Sequence, residues 1–175
     1  MNVLDQFSIP VSGLRNGLHG YDFDIGDEFF RAFEKSSVRQ GSVQVHLAFE
    51  KREDMYLLTF TLSGKVTATC DRCLDDFALP IEDIRHLLVK FDVEPWEDAD
   101  VVFIEKGTIS LNVASYIYEF IHLAMPMIKT HENAGDDCNP EMLKYLDRTD
   151  GGQGQAGSPG HNPFPDAFRD IDFEN

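Results

Sequence analysis

Basic residues are scarce in this chain of 175: 15 Lys and Arg face 31 Asp and Glu, a formal charge of −16. Such a surface repels nucleic-acid phosphates and anionic membranes unless its cations gather on one face, so the expected partner is a basic protein or a cation. Cysteine is scarce as well. Three thiols are an odd number and too few for a disulfide scaffold, which points to a reducing compartment and a cytoplasmic protein. Long apolar runs are missing: the richest stretch, residues 113–128, is broken by Ser115, Tyr116, Glu119 and His122, and is too short and polar to span a bilayer. The N-terminus lacks the basic-then-apolar order of a signal peptide. There is no phosphate-cradling glycine loop, serine nucleophile elbow or H-E-x-x-H pair, so an enzyme is not expected.

Core-forming residues are plentiful, with 42% apolar residues and 14 Phe. Val3, Phe7, Ile9 and Val11 predict a strand, and Tyr21, Phe23 and Ile25 a second with a wet acidic face from Asp22 and Asp24. Gly13, Gly17 and Gly20 mark a turn region between them. Phe29, Phe30 and Phe33 fall at helical spacing over residues 27–35, with Asp27 and Glu28 at the end that favours acids. Val43, Val45, Leu47 and Phe49 alternate with polar residues. After the charged turn 51–54, residues 56–69 resume the pattern as the second arm of a long antiparallel hairpin. Phe77, Leu79 and Ile81 start a third strand, continued over residues 84–91. Five acids and a proline make residues 92–100 an exposed loop. A short buried strand is expected at 101–104, and an amphipathic helix at 111–124, stopped by Pro126. Residues 141–146 have room for a turn or two of helix.

The expected fold class is α+β: a central antiparallel sheet with a long hairpin, one short and one longer helix, and a cysteine-bearing turn. Residues 1–147 would form the domain. Residues 148–175 would form a flexible tail, because 151–160 contains five Gly, two Gln, a Ser and a Pro. Within it, Phe164, Phe168 and Ile171 at i, i+4 and i+7 make 162–171 either a docking segment or a stretch of scattered aromatics.

Cys70 and Cys73 enclose Asp71 and Arg72 in the one compact motif of note. Two thiols so spaced can face one ion, with inward backbone amides stabilising thiolate. Cys138, and His131 in the same polar loop, complete a set of three cysteines and one histidine for tetrahedral zinc. With four protein ligands that zinc would be structural, stapling the hairpin to the loop after the helix. Two other readings stay open: free thiols at the surface with no metal, and a redox-active C-x-x-C pair or metal-handling site. Asp71, Asp75 and Asp76 read as solvated turn acids. His46 faces solvent, His19 and His86 have no nameable partner, and His122 reads as a satisfied helix residue. Lys51, Arg52, Lys65, Arg72, Arg85 and Lys90 would form a basic patch only if they converged, against the alternative of an evenly mixed surface.

The stretch VTATCDRCLDDF at residues 66–77, ending one strand and opening another, resembles the signature of the YceD family, the large ribosomal RNA subunit accumulation proteins. The helix running into residues 124–127 and the acidic stretch before it agree, and the resemblance spans about residues 2–146. Cys70, Arg72, Cys73 and Leu74 carry over directly, and Cys138 with Asn139 matches the family's later cysteines. His131 rests on spacing alone. The resemblance implies a non-enzymatic role in large ribosomal subunit biogenesis, with ribosomal proteins or the pre-ribosomal particle as partners, direct RNA contact left open, and no membrane. Combined with the charge, it suggests a factor that holds a basic ribosomal protein, with Arg72 pairing an acid or touching phosphate. A generic protein-interaction adaptor is the other alternative.

Overall fold

The structure, a computed structural model, describes residues 3–34, 36–91 and 101–147. The acidic loop, the glycine-rich linker and the docking segment expected at 92–100, 151–160 and 162–171 lie outside the described residues. In chain order the elements are β1 Ser8–Ile9, β2 Gly17–Ile25, α1 Asp27–Arg31, β3 Gly41–Lys51, β4 Met55–Thr69, β5 Asp76–Phe91, β6 Val101–Ile104, β7 Leu111–Asn112, α2 Ala114–Ala124 and α3 Pro140–Asp147.

Strands β2-β3-β4-β5-β6 lie side by side in one five-stranded sheet, while β1 pairs with β7 in a separate ribbon. The first four strands of the sheet are antiparallel as expected, and the hairpin register runs from Lys51↔Tyr56 to Gly41↔Val66. β6 runs parallel to β5, so the sheet is mixed. Alternation fixes which face is inward, because neighbouring side chains leave a strand on opposite sides. Val43, Val45, Leu47 and Phe49 meet Leu58, Phe60 and Leu62 on a buried face. The helix α2 covers that face with Ile117, Phe120 and Ile121, and the Phe120 ring stands edge-on to Phe60 at 5.1 Å. Burying one such apolar side chain stabilises the fold by about 1.5–3 kcal/mol.

Two backbone contacts show how residue type set the sheet. Gly64 lies opposite Val43, and a β-carbon there would collide with the Ser42 carbonyl and sit 2.6 Å from Val43 Cα. Along residues 76–87, β5 has β4 on one side and no strand on the other among the described residues. Pro80 sits on this stretch, and the Ile84 N–H donates to Asp83 Oδ1 at 2.8 Å. Both features discourage a further strand from adding there.

Several expectations need correction. The first strand shrinks to Ser8–Ile9 between two 3-10 turns, Val3–Phe7 and Val11–Gly13. Phe7, Ile9 and Val11 are still buried, so the alternation recorded burial along an irregular path. Gly17 and Gly20 belong to β2 and not to the turn. β6 is half-buried along its whole length. The helix expected from 111 begins at Ala114, whose N–H donates to Asn112 Oδ1 at 2.9 Å; Leu111–Asn112 pair with β1 instead.

Candidate metal centre

The hairpin of β4 and β5 ends in a turn over residues 70–75, closed by the Cys70 N–H to the Asp75 carbonyl at 2.9 Å and the Leu74 N–H to the Cys70 carbonyl at 3.0 Å. Closing it places Leu74 at φ 63°, the one non-glycine residue in the left-handed region among the described residues. That conformation costs a residue bearing a β-carbon about 1–2 kcal/mol. On the other side, Thr130 caps the 3-10 turn His131–Ala134: its N–H donates to Asn133 Oδ1 at 2.7 Å, and Gly135 at φ 79° ends the turn. The local signals are a capping Thr and a left-handed Gly. They leave His131 at the first position of the turn and send the chain back through Cys138.

Cys70, Cys73, His131 and Cys138 converge here, with ligand atoms all within 4.8 Å of one another, as required of a group that could hold a metal ion. Cys70 Sγ lies 3.7 Å from Cys138 Sγ, and Cys73 Sγ lies 3.4 Å from His131 Nδ1. Around a tetrahedral ion with sulfur at about 2.3 Å and nitrogen at about 2.0–2.1 Å, these edges would be about 3.8 and 3.6 Å. The donor set fits an ion of that size. All three thiols are free and buried, so they are not the surface thiols of the alternative reading.

The environment already favours charge on one sulfur. Burial alone would raise the Cys70 thiol above its ordinary value of 9.0, but N–H groups of Cys73 and Arg72 and the side chain and backbone of His131 outweigh it and hold it at about 6. Cys138 moves the other way, raised first by burial and then by its contact with Cys70.

The turn and the loop are also joined without metal. The Asp71 N–H donates to the Lys129 carbonyl at 2.7 Å, and the Lys129 N–H donates to Asp71 Oδ2 at 2.6 Å. Asn139 Nδ2 donates to Asp75 Oδ2 at 2.9 Å. Asp71 and Asp75 are exposed, as expected of turn acids, and they also clamp segments about sixty residues apart (58 and 64). No spacing rule connects such distant positions, so only their place beside the cysteines could have drawn attention to them. Arg72 Nη1 donates to Glu132 Oε1 at 2.6 Å, the acidic pairing among its two expected uses. The His131 ring lies 4.7 Å from Phe77, which limits its orientation.

The remaining residues singled out from sequence lie elsewhere. His19 Nε2 is paired with the Arg15 carbonyl and His86 Nδ1 with Thr59 Oγ1, so both have partners. His46 is exposed beside Asp22, as expected. His122 Nδ1 bonds the Tyr118 carbonyl, but its Nε2 is buried with no hydrogen-bond partner among the described residues, so it is only half satisfied. Among the six cations, Lys51 Nζ donates to the Val11 and Leu14 carbonyls, while Arg52, Arg72 and Arg85 pair with Glu50, Glu132 and Asp83. With four of the six engaged in this way, these cations do not form a free basic patch. Among the described residues no helix is long and apolar enough to cross a membrane.

No curated protein and no solved structure matches this chain. A family model does match it, over residues 58–166, beginning well after the N-terminal residues that the resemblance was expected to include. The match contains the whole four-residue cluster, and on its extent the chain belongs to the YceD family, described as large ribosomal RNA subunit accumulation protein.

Proposed function

We propose that this protein is a non-enzymatic factor in large ribosomal subunit biogenesis, supporting accumulation of the large-subunit RNA by holding a basic ribosomal protein of that subunit. Family membership carries the reading. The charge of −16 selects among its physical forms: an acidic surface on which Arg52, Arg72 and Arg85 are already paired suits a basic protein better than a phosphate backbone. Buried free thiols agree with a reducing, cytoplasmic setting.

Zinc is the ion this reading assigns to Cys70, Cys73, His131 and Cys138. Three thiolates and an imidazole suit it, and four protein ligands leave no open position for substrate, so its role would be structural. The folded unit would then be residues 1–147, stapled across its middle, with 148–175 as an appended tail.

Affinity capture from growing cells, with nuclease treatment, tests the function. Large-subunit ribosomal proteins should be enriched, and raising the salt should release them. Recovery of ribosomal RNA without those proteins would refute the holding mechanism. Total metal analysis of protein purified without added zinc tests the site: near-stoichiometric zinc is expected in the wild type, and its loss in Cys138→Ser.

A further inference from the structure

Leu74 is the wrong residue for its place if only the fold is considered. Closure of the turn forces it to φ 63°, a conformation that glycine or asparagine adopts at less cost. Packing does not compensate, because the side chain is 66% exposed among the described residues. The neighbouring surface is similar. Met127 and Ile128 are 97% and 70% exposed, and the next residue, Lys129, is bonded through its backbone N–H and carbonyl to Asp71 of the same turn. Three apolar side chains therefore project from two segments that are tied together beside the candidate metal centre.

We propose that Leu74, Met127 and Ile128 form the docking surface for a basic polypeptide segment carrying apolar side chains. Charge identifies the partner's sign. Residues 71–76 and 127–137 hold six acids against Arg72 and Lys129, and Arg72 is already paired with Glu132. Three thiolates around a divalent ion would add a further negative charge. Polyanions are repelled from such ground, while a cationic chain is attracted and offered apolar anchors. The inference rests on the reading of this protein as a holder of a basic large-subunit protein, and it places that contact at the turn.

The test compares full-length wild type, Leu74→Gly and Ile128→Ser. Each is immobilised and exposed to proteins stripped by salt from purified large ribosomal subunits, with identification of what is retained. Zinc content and thermal stability are measured in parallel. Leu74→Gly should unfold no earlier than wild type and keep its metal, yet retain the bound ribosomal protein about tenfold more weakly, as expected for losing one buried leucine. Ile128→Ser should weaken retention in the same direction. Equal retention by all three would overturn the surface while leaving the parent reading intact. No retention by wild type would refute both. A Leu74→Gly protein that unfolds earlier than wild type would show that the leucine serves the fold itself, and would also overturn the proposal.

Discussion

Removing the metal should cost the fold most of what the staple contributes, and the size of that contribution follows from topology. Cys70 and Cys138 are separated by 68 residues, so an ion bridging them closes a long loop in the unfolded chain. Treated as a cross-link, closure of a loop that long is worth about 4 kcal/mol through the entropy it removes from the unfolded state. For a folded part of this size, that corresponds to a fall of roughly 8–16 °C in Tm. The contacts of Asp71, Asp75 and Arg72 with the 129–139 loop do not run through the four candidate ligands, so chelation should loosen the loop but leave the hairpin folded. The assay is thermal unfolding of wild type and Cys138→Ser, each with and without a strong chelator. Chelator should lower the wild-type Tm by this amount and leave the variant's unchanged, because the variant has no complete site to lose. If wild type contains metal and chelator strips it without moving the Tm, the staple is refuted. If the variant stays chelator-sensitive, Cys138 is not a ligand.

Three further outcomes follow. In metal-free protein, Cys70 is held at about 6 while the unfolded thiol titrates near 9.0, so its contribution to stability is full above about pH 9, declines as pH falls, and is gone below about pH 6. Urea unfolding with chelator should therefore show stability rising with pH across that window, and the rise should flatten in Cys70→Ser. Gly64→Ala forces a β-carbon against the β3 backbone and should destabilise by about 1–3 kcal/mol or more, read as a lower urea midpoint; an unchanged midpoint would contradict the close approach. Arg72→Ala breaks an ion pair whose side chains are 47% and 68% exposed, so it should cost less than about 1 kcal/mol and leave zinc content unchanged, while loss of metal would make Arg72 part of the site's support.

The strands were legible because the sheet buries one face. Val43 to Phe49 and Tyr56 to Leu62 repeat with period two, and that period is the same statement in sequence and in space. The convergence of Cys70, Cys73, His131 and Cys138 was legible from residue type and position, since the set takes in every cysteine of the chain and the histidine seven residues before Cys138. Other features could not be read along the chain. The buried state of Cys70 and Cys73 was hidden by their polar neighbours Asp71, Arg72, Asp75 and Asp76, because burial in a turn depends on what another segment lays over it. The parallel course of β6 depends on the path taken between Phe91 and Val101, which local pattern does not encode. The strain at Leu74 is a backbone property, and nothing in a leucine's identity announces a positive φ.

The sequence alone determined composition-level and periodic facts: an acidic protein, an α+β hairpin sheet, and a C-x-x-C turn with two further donors 58 and 68 residues from their nearest cysteine partners (His131 from Cys73, Cys138 from Cys70). These survive folding because side-chain type and local period do not depend on the rest of the chain. Tertiary structure alone decided that Asp71 and Asp75 clamp the turn to its loop, that the thiols lie in the core, and that Leu74, Met127 and Ile128 are exposed. Each of those depends on which distant segment arrives alongside, and long-range packing sets that arrival.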